Sequence, residues 1–392
     1  MQMKKANQYT KIRSKLKYFC FLVLYFFLYP ICKLLYGRKR NWVICERKDE
    51  AQDNGYVFFK YLIAKHPEIK PIYLIDKKCD QFKNVSALGK VVQFGTLKHL
   101  MVVIGCPVKI SSQLFGYAPW VQLKTYYRRN KTHDVHVFLQ HGITKNMHEG
   151  LFSESCRSLK VFLCGAKPEY DYIFKDFHYE NDVPQYTGFP RYDLLNNFAE
   201  KNQIIIMPTW RANLDNLSDE SFKQTMFFNC WSKLINDDIL NGICLKNNLI
   251  IKFYMHHSFK QYLHLFKGGK AVKIIGFGEE NVQELLKESK LLITDFSSVY
   301  FDFAYMNKPT IYFQFDEKEY YSKHYLKGYF DYRRDGFGGV CINKDEVIDE
   351  FTKIVSDDFS VEHLYSSRAD RFFVRRDCNN CERVFNAILR IK

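Results

Sequence analysis

Five stretches of this chain place chemically capable side chains at the ends of apolar runs. In "FLQHGITKN" (138–146) His141 follows an apolar run directly, with Lys145 four residues on. An imidazole titrates near neutrality, so it can take a proton from a hydroxyl; the plainer reading is a histidine hydrogen-bonded in a turn. "GFPRYD" (188–193) fixes a turn with glycine and proline and then presents Arg191 and Asp193, either as site groups or as a charged surface turn. "MPTWR" (207–211) ends at Arg211, whose planar fork suits phosphate oxygens or, equally, a carboxylate partner. "KFYMHH" (252–257) offers Lys252, His256 and His257. Adjacent histidines on extended backbone point to opposite sides, so the pair does not share a metal, and one of the two is the site residue.

The most informative stretch is "LLITDFSSVYFDFAYMNKPTIYFQFD" (291–316). A buried strand is expected to stop at Asp295, with Ser297 and Ser298 where a helix begins and Asp302 one turn later. Serines there cap the helix or, with its free N–H groups, hold a phosphate; phosphate or nucleotide binding is the favoured reading. The sequence carries no HExxH, no GxxxxGK[ST] and no Asp-x-Asp, and neither "GFGEEN" nor "DGFGGV" completes GxGxxG.

The elements that must position these groups are legible as alternating β-rich and helical text. "WVIC" (42–45), "PIYLID" (71–76), "VVQF" (91–94), "PVKISS" (107–112), "HVFLQ" (136–140) and "VFLCG" (161–165) form a first series. "IIIMPTW" (204–210), "LIIKFYM" (249–255), "VKIIGF" (272–277), "LLITDF" (291–296) and "PTIYFQF" (309–315) form a second, with a long helical region over 218–247. Apolar runs without strict alternation are expected of parallel strands covered on both faces, hence of doubly wound α/β domains. Ligands of such sheets bind beyond the strands' carboxyl ends, so the active site is expected in a cleft between two halves meeting near residue 200.

A chain of 392 residues that is 47% hydrophobic has core enough for two domains and is not a disordered polymer. Its formal charge of +15 is concentrated: ten basic residues lie in the first 40 positions, which hold no acid. A nucleic-acid enzyme would carry a basic stripe over its body, so nucleic acid is not an expected partner. Between those charges "YFCFLVLYFFLYPIC" (18–32) is uncharged but short of the ~20 apolar residues of a bilayer span. Residues 1–40 are therefore read as a monotopic anchor in an anionic inner-leaflet interface, with a single tilted span as the competitor. Twelve scattered cysteines suggest reduced thiols in the cytosol, and the lone CxxC at Cys378 and Cys381 lacks the second half of a zinc site.

Taken together, "QHGITKN", "GFPRYD", "MPTWR", the Lys252 to His256 segment, "ITDFSSVYFDFAYMNKPTIYF" and "RDCNNCERV" (376–384) resemble the CDP-glycerol glycerophosphotransferase family, which builds glycerol- or ribitol-phosphate chains of teichoic acids and acts on capsular polysaccharides. The resemblance implies a GT-B-like α/β fold: an N-terminal Rossmann-like acceptor-side domain over 41–200 and a C-terminal CDP-donor-binding domain over 201–392. It implies His141 as catalytic base and His256 as the second functional histidine. Arg211, Lys252, Asp295, Ser297, Ser298 and Asp302 are implied on the donor side, with Lys145, Arg191, Asp193, His257 and Arg383 as further site candidates. Three positions depart from the family pattern: His257 stands where proline is usual after the second histidine, "GFGG" (336–339) replaces a Pro-Gly-Pro-like turn, and Cys378 replaces the glycine after the late aspartate.

The expected activity is transfer of a polyol phosphate from CDP-glycerol or CDP-ribitol to a hydroxyl of a teichoic acid, capsular or lipid-linked glycan acceptor, releasing CMP. It is expected on the cytoplasmic face of a bacterial cell membrane, by single displacement, with no cofactor required and no tightly bound metal. The alternatives are a GT-B glycosyltransferase using a nucleotide sugar and a non-catalytic membrane-bound homologue that binds a precursor. Polyol, acceptor, number of units added and oligomeric state are not written in the motifs.

Overall fold

Apolar runs bounded by turn residues become strands buried on both faces. The computed structural model describes residues 2–323 and 326–391, with side chains from residue 15 onward apart from 257 and 323. β1 (Asn41–Cys45), β2 (Lys70–Ile75), β3 (Lys90–Gln93), β4 (Val108–Ser111), β5 (Val135–Phe138), β6 (Leu159–Cys164) and β7 (Pro184–Tyr186) form one sheet in the order β3-β2-β1-β4-β5-β6-β7. β8 (Gln203–Met207), β9 (Ile250–Tyr254), β10 (Val272–Ile275), β11 (Leu291–Thr294), β12 (Thr310–Phe313) and β13 (Gly338–Cys341) form the other in the order β10-β9-β8-β11-β12-β13. The strand pairs are parallel throughout. The strand order reverses between β1 and β4 in the first sheet and between β8 and β11 in the second, the crevice positions of doubly wound folds.

Seven helices matter for the site: α1 (Gln2–Tyr36), α2 (Asn54–Lys65), α3 (Leu97–Gly105), α4 (Val121–Arg129), α5 (Lys167–Asp176), α6 (Tyr300–Tyr305) and α7 (Asn380–Arg390). In the second sheet Ile204, Ile206, Phe253 and Phe313 pack with Trp231 on one face, while Ile205, Leu292 and Tyr312 pack under Tyr300 and Phe301 on the other. The helical region expected over 218–247 is three helices, Asp219–Lys223, Met226–Ile235 and Asp238–Lys246. Ser218, Thr225 and Asp237 each accept an amide at the start of one of them, so every cap restarts the chain.

The N-terminal helix α1 is built into the first half. α1 packs lengthwise on α3 and α4: Phe21 and Cys32 are buried, and the Tyr25 and Tyr126 rings lie 4.8 Å apart. A Cβ on Gly105 of α3 would stand 2.3 Å from the Cys32 carbonyl oxygen, so the two helices meet backbone to backbone. Lys33 Nζ closes on Asp134 at 2.5 Å, and buried Lys109 holds the same carboxylate at 2.7 Å.

The chain ends by returning to the first half. α7 packs on α2 and the turn Pro190–Leu194, with the Phe385 and Trp42 rings 5.7 Å apart. Asp193 starts α7: its carboxylate accepts from Asn380 N–H at 2.8 Å and Cys381 N–H at 2.9 Å. The adjoining Gly188, at φ +75°, leaves room only for hydrogen, because a Cβ would lie 1.8 Å from Asn380 Oδ1.

Candidate active site

The loops that follow β1, β5, β8 and β11 enclose a cleft of about 480 Å³, where the two reversal points face each other. His141 enters it from the turn after β5. Gln140, just before it, has φ +60°, which costs a residue other than glycine about 1–3 kcal/mol. The turn is held from several sides. Asn54 Nδ2 donates to the Gln140 carbonyl at 2.9 Å, and Glu169 of α5 accepts from Thr144 N–H at 2.6 Å and from Gln140 Nε2 at 3.0 Å. Burial pushes the Glu169 carboxyl up to about 7 against those bonds.

Around the imidazole, Nδ1 lies 3.0 Å from Asp53 Oδ2, and the Gln113 side-chain amide reaches Nε2. Arg191 spans the cleft wall. Its Nη1 donates to the His141 carbonyl at 2.5 Å and to Asp53 Oδ1 at 3.1 Å, while Nε and Nη2 grip both oxygens of Asp302 on α6 at 3.0 and 2.9 Å. Lys145 crosses between the halves and donates to the Phe296 carbonyl and the Tyr332 hydroxyl, each at 2.5 Å. Burial among rings pushes its ammonium down to about 7.

On the opposite wall Ser297 and Ser298 line the cleft, with Ser297 Oγ accepting from Val299 N–H at 3.5 Å. α6 is only six residues long and starts at Tyr300, with Val299 rather than a serine at its N-cap position, so the serines sit ahead of the helix rather than capping it. A Cβ on Gly142 would fall 2.9 Å from Ser298 Oγ, which puts the residue after His141 directly against the serine pair. His256 also lines the cleft; its ring stacks on Trp210 at 6.4 Å, and Nδ1 accepts from Ser258 N–H at 3.3 Å. The His257 side chain lies outside the described residues.

Several sequence candidates take up other work. Arg211 lies buried behind the cleft floor, with Asp316 at 2.8 and 3.0 Å and Asp295 at 2.7 Å. A buried guanidinium needs compensating charge inside the protein, and these two carboxylates supply it. The other Asp295 oxygen accepts from Thr209 N–H at 2.8 Å and Phe296 N–H at 2.6 Å, so Asp295 and Arg211 together tie the ends of β8 and β11. Asp302 faces Arg191 rather than an anion, as a carboxylate must. Lys252 pairs with Glu280 at 2.6 Å and does not reach the cleft. Arg383 binds the Thr187 carbonyl, Asp377 and Asn380, and Asp193 caps α7.

Asp53, Asn54, Arg47, Glu50, Gln113 and Glu169 belong to the site's surroundings and were not singled out by sequence. The signal present was positional: Arg47, Glu50 and Asp53 follow β1, next to the point where the strand order reverses. Among the described residues no three His, Cys, Asp or Glu side chains converge as metal ligands.

Comparison with known proteins gives consistent findings. Residues 28–390 match the family described as CDP-Glycerol:Poly(glycerophosphate) glycerophosphotransferase. The chain is 33% identical over 369 residues to the minor teichoic acid biosynthesis protein GgaB of Bacillus subtilis (strain 168), covering 91% of this chain and 40% of that protein. It is 23% identical over 419 residues to the teichoic acid poly(glycerol phosphate) polymerase of the same strain, covering 98% of this chain and 53% of the polymerase. It thus spans about half or less of the length of these two relatives. The solved structure of the wall teichoic acid polymerase TagF is similar in fold, with TM-score 0.67 at 16% identity over 96% of this chain and 97% of that one.

Proposed function

The chain belongs to the CDP-glycerol:poly(glycerophosphate) glycerophosphotransferase family, and from that premise we propose that its cleft transfers glycerol phosphate or ribitol phosphate from a CDP-polyol to a hydroxyl of a teichoic acid, capsular or lipid-linked acceptor. The observation that carries this reading is the approach of the His141–Gly142 turn to Ser298, which brings a base and a pair of hydroxyls together in one cleft from the two reversal points. The acceptor hydroxyl gives its proton to His141 as its oxygen attacks the polyol-bearing phosphorus. The bond from that phosphorus to the bridging oxygen breaks, and CMP leaves with the bonding pair. A phosphate monoester has a second pKa near 6, so this leaving group needs little help from an acid. Ser297 and Ser298 hold the donor phosphates, and Arg211 and Asp295 shape that wall from behind rather than touching the donor. His256, from the same wall, completes the donor side.

The donor is the first thing to test. Thermal melting of the full chain with CDP-glycerol, CDP-ribitol, CDP, UDP-glucose and UDP-N-acetylglucosamine needs no acceptor. A ligand at about 100 times its Kd adds about 2.7 kcal/mol of stability. The expected result is a shift with one CDP-polyol that exceeds the shift with CDP, and that donor names the polyol. A shift with a UDP-sugar alone contradicts the reading.

The same proposal places the enzyme on the cytoplasmic face of the membrane, where a nucleotide-activated donor is met, with α1 lying in the interface. The inner side of α1 is occupied by α3 and α4, whereas Phe19, Phe26, Phe27 and Leu34 are exposed, at 63%, 74%, 65% and 85%. Leu97 of α3 and Val121 of α4, 63% and 77% exposed, accompany them. Lys15–Tyr36 of α1 is, against the expectation from 18–32 alone, long and apolar enough to cross a bilayer, and what favours a monotopic seat over a span is its packing along α3 and α4. Flotation with anionic vesicles is expected to recover the native chain and to lose a Phe26→Glu/Phe27→Glu variant that melts normally. Flotation of that variant at the native level contradicts the seat.

A further inference from the structure

An aspartate at a helix N-cap ordinarily accepts from an amide of its own first turn. Asp53 holds that position on α2 in extended conformation without the side-chain cap bond, its amide contact in the helix being the adjoining Asn54. The cap has been taken over by Glu46 at the end of β1, which accepts from the amides of Gln52, Asp53 and Tyr56 at 3.0, 3.0 and 2.6 Å. Asp53 is thereby released from helix duty, and its two oxygens go to His141 Nδ1 at 3.0 Å and Arg191 Nη1 at 3.1 Å.

We propose that Asp53 is the positioning residue of the transfer reaction. Its carboxylate holds Nδ1–H of His141, which leaves the Nε2 lone pair for the acceptor hydroxyl, and it stabilises the imidazolium once that proton has moved. The proton passes from the hydroxyl oxygen to Nε2 and goes no further; Nδ1–H stays on the ring. The Gln113 side-chain amide also stands at Nε2, so the acceptor hydroxyl must displace it to reach that nitrogen. Arg191 ties the pair to the donor side: the guanidinium that fixes Asp53 is the one gripped by Asp302 of α6. The Asp53 carboxyl is held below its ordinary value, burial being outweighed by Arg191 and His141, so it is ionised when the reaction runs.

This inference rests on His141 being the base. The other charged or titratable groups facing the ring are Glu50, from the loop before α2 and itself paired with Arg47, then Arg191 with Asp302 behind it, and His256 across the cleft. Removing the Asp53 charge takes the carboxylate away from Nδ1 and leaves the guanidinium of Arg191, still paired with Asp302, beside the ring, which disfavours the imidazolium. The pKa of the base then falls, and the acidic limb of the kcat/KM profile moves to lower pH.

The test compares the native chain with Asp53→Asn, Asp53→Glu and His141→Ala, using the CDP-polyol that shifts the melting temperature and a polyol-phosphate acceptor. Asp53→Asn is expected to lower kcat by about 10²-fold or more, with the donor KM within about threefold and the acidic limb about one unit lower. Asp53→Glu is expected to restore part of kcat. An Asp53→Asn chain with kcat within threefold of native, or with its limb unmoved, overturns the proposal. If Asp53→Asn does not fold, the ¹⁵N shifts of the His141 ring in the native chain decide: Nδ1–H with bare Nε2 is expected, and the opposite tautomer overturns it. An active His141→Ala chain would sink the base assignment itself, whereas an inactive one beside a fully active Asp53→Asn chain would sink only this inference.

Discussion

Replacing His141 by alanine lowers kcat by about 10²- to 10⁴-fold, the contribution of a positioned general base, and leaves the donor-induced melting shift in place. Two features of the site make the loss large. Among the other basic side chains lining the cleft, Lys145 is buried with two of its three N–H bonds engaged across the interface, Arg191 is held by Asp53 and Asp302, and His256 Nδ1 holds Ser258. The His141 turn is also fixed from behind by Glu169 and Asn54, so the turn keeps its shape when the imidazole is removed. The fold survives because the His141 side chain is 41% exposed and Asp53 keeps its bond to Arg191. Initial rates, paired with melting in the presence of donor, separate lost chemistry from lost binding. Activity within tenfold of native would mean that the proton leaves by another route.

Replacing Arg191 by methionine is expected to cost about 3–5 kcal/mol of stability, because breaking a buried ion pair strands the remaining charge. The Arg191 and Asp302 side chains are 5% and 4% exposed, and Asp53 loses its partner at the same time. Burial already pushes the Asp302 carboxyl up, with Arg191 opposing. Without the guanidinium Asp302 binds its proton more tightly folded than unfolded, so the folded state takes up protons relative to the unfolded one. The defect is then smallest below the unfolded carboxyl's pKa and grows as the pH rises through the folded one. Denaturant melts at pH 5 and pH 8 check the sign. An Arg191→Met/Asp302→Leu double variant is expected to recover part of the loss, since it removes the stranded charge. A single variant as stable as native at pH 8 would mean that the clasp between the two halves carries no weight.

Much of the architecture was readable because a strand buried on both faces is a short apolar run and little else satisfies it. β7 and β13 escaped notice because "PQY" and "GGVC" have no such run, and they stand at sheet edges where one is not required. The apolar N-terminal segment was readable as composition, but the packing of its helix against the first half was not. That attachment depends on Gly105 meeting Cys32 and on Asp134 meeting Lys33, pairs far apart in the chain. Among the site residues, His141, Ser297, Ser298 and His256 follow strand ends and do line the cleft. Arg211 and Arg383 carry the same local signal as a phosphate-binding arginine, and only their distant carboxylates reveal that the fork is already filled. Asp53 had the opposite problem. An aspartate before "NGYVFF" reads as a helix cap, and nothing local tells that Glu46 has taken that job.

Transfer from a CDP-polyol must release CMP, so CMP release is the most direct measurement of the reaction. The full chain on anionic vesicles is given the CDP-polyol that shifts its melting, with and without a polyol-phosphate acceptor, and CMP is counted against new phosphodiester by ³¹P NMR. Acceptor-dependent CMP is expected in equal amount to new phosphodiester, with both formed about 10²-fold or more slowly in His141→Ala. Donor bound but never cleaved with any acceptor, or a UDP-sugar consumed in its place, would contradict polyol-phosphate transfer.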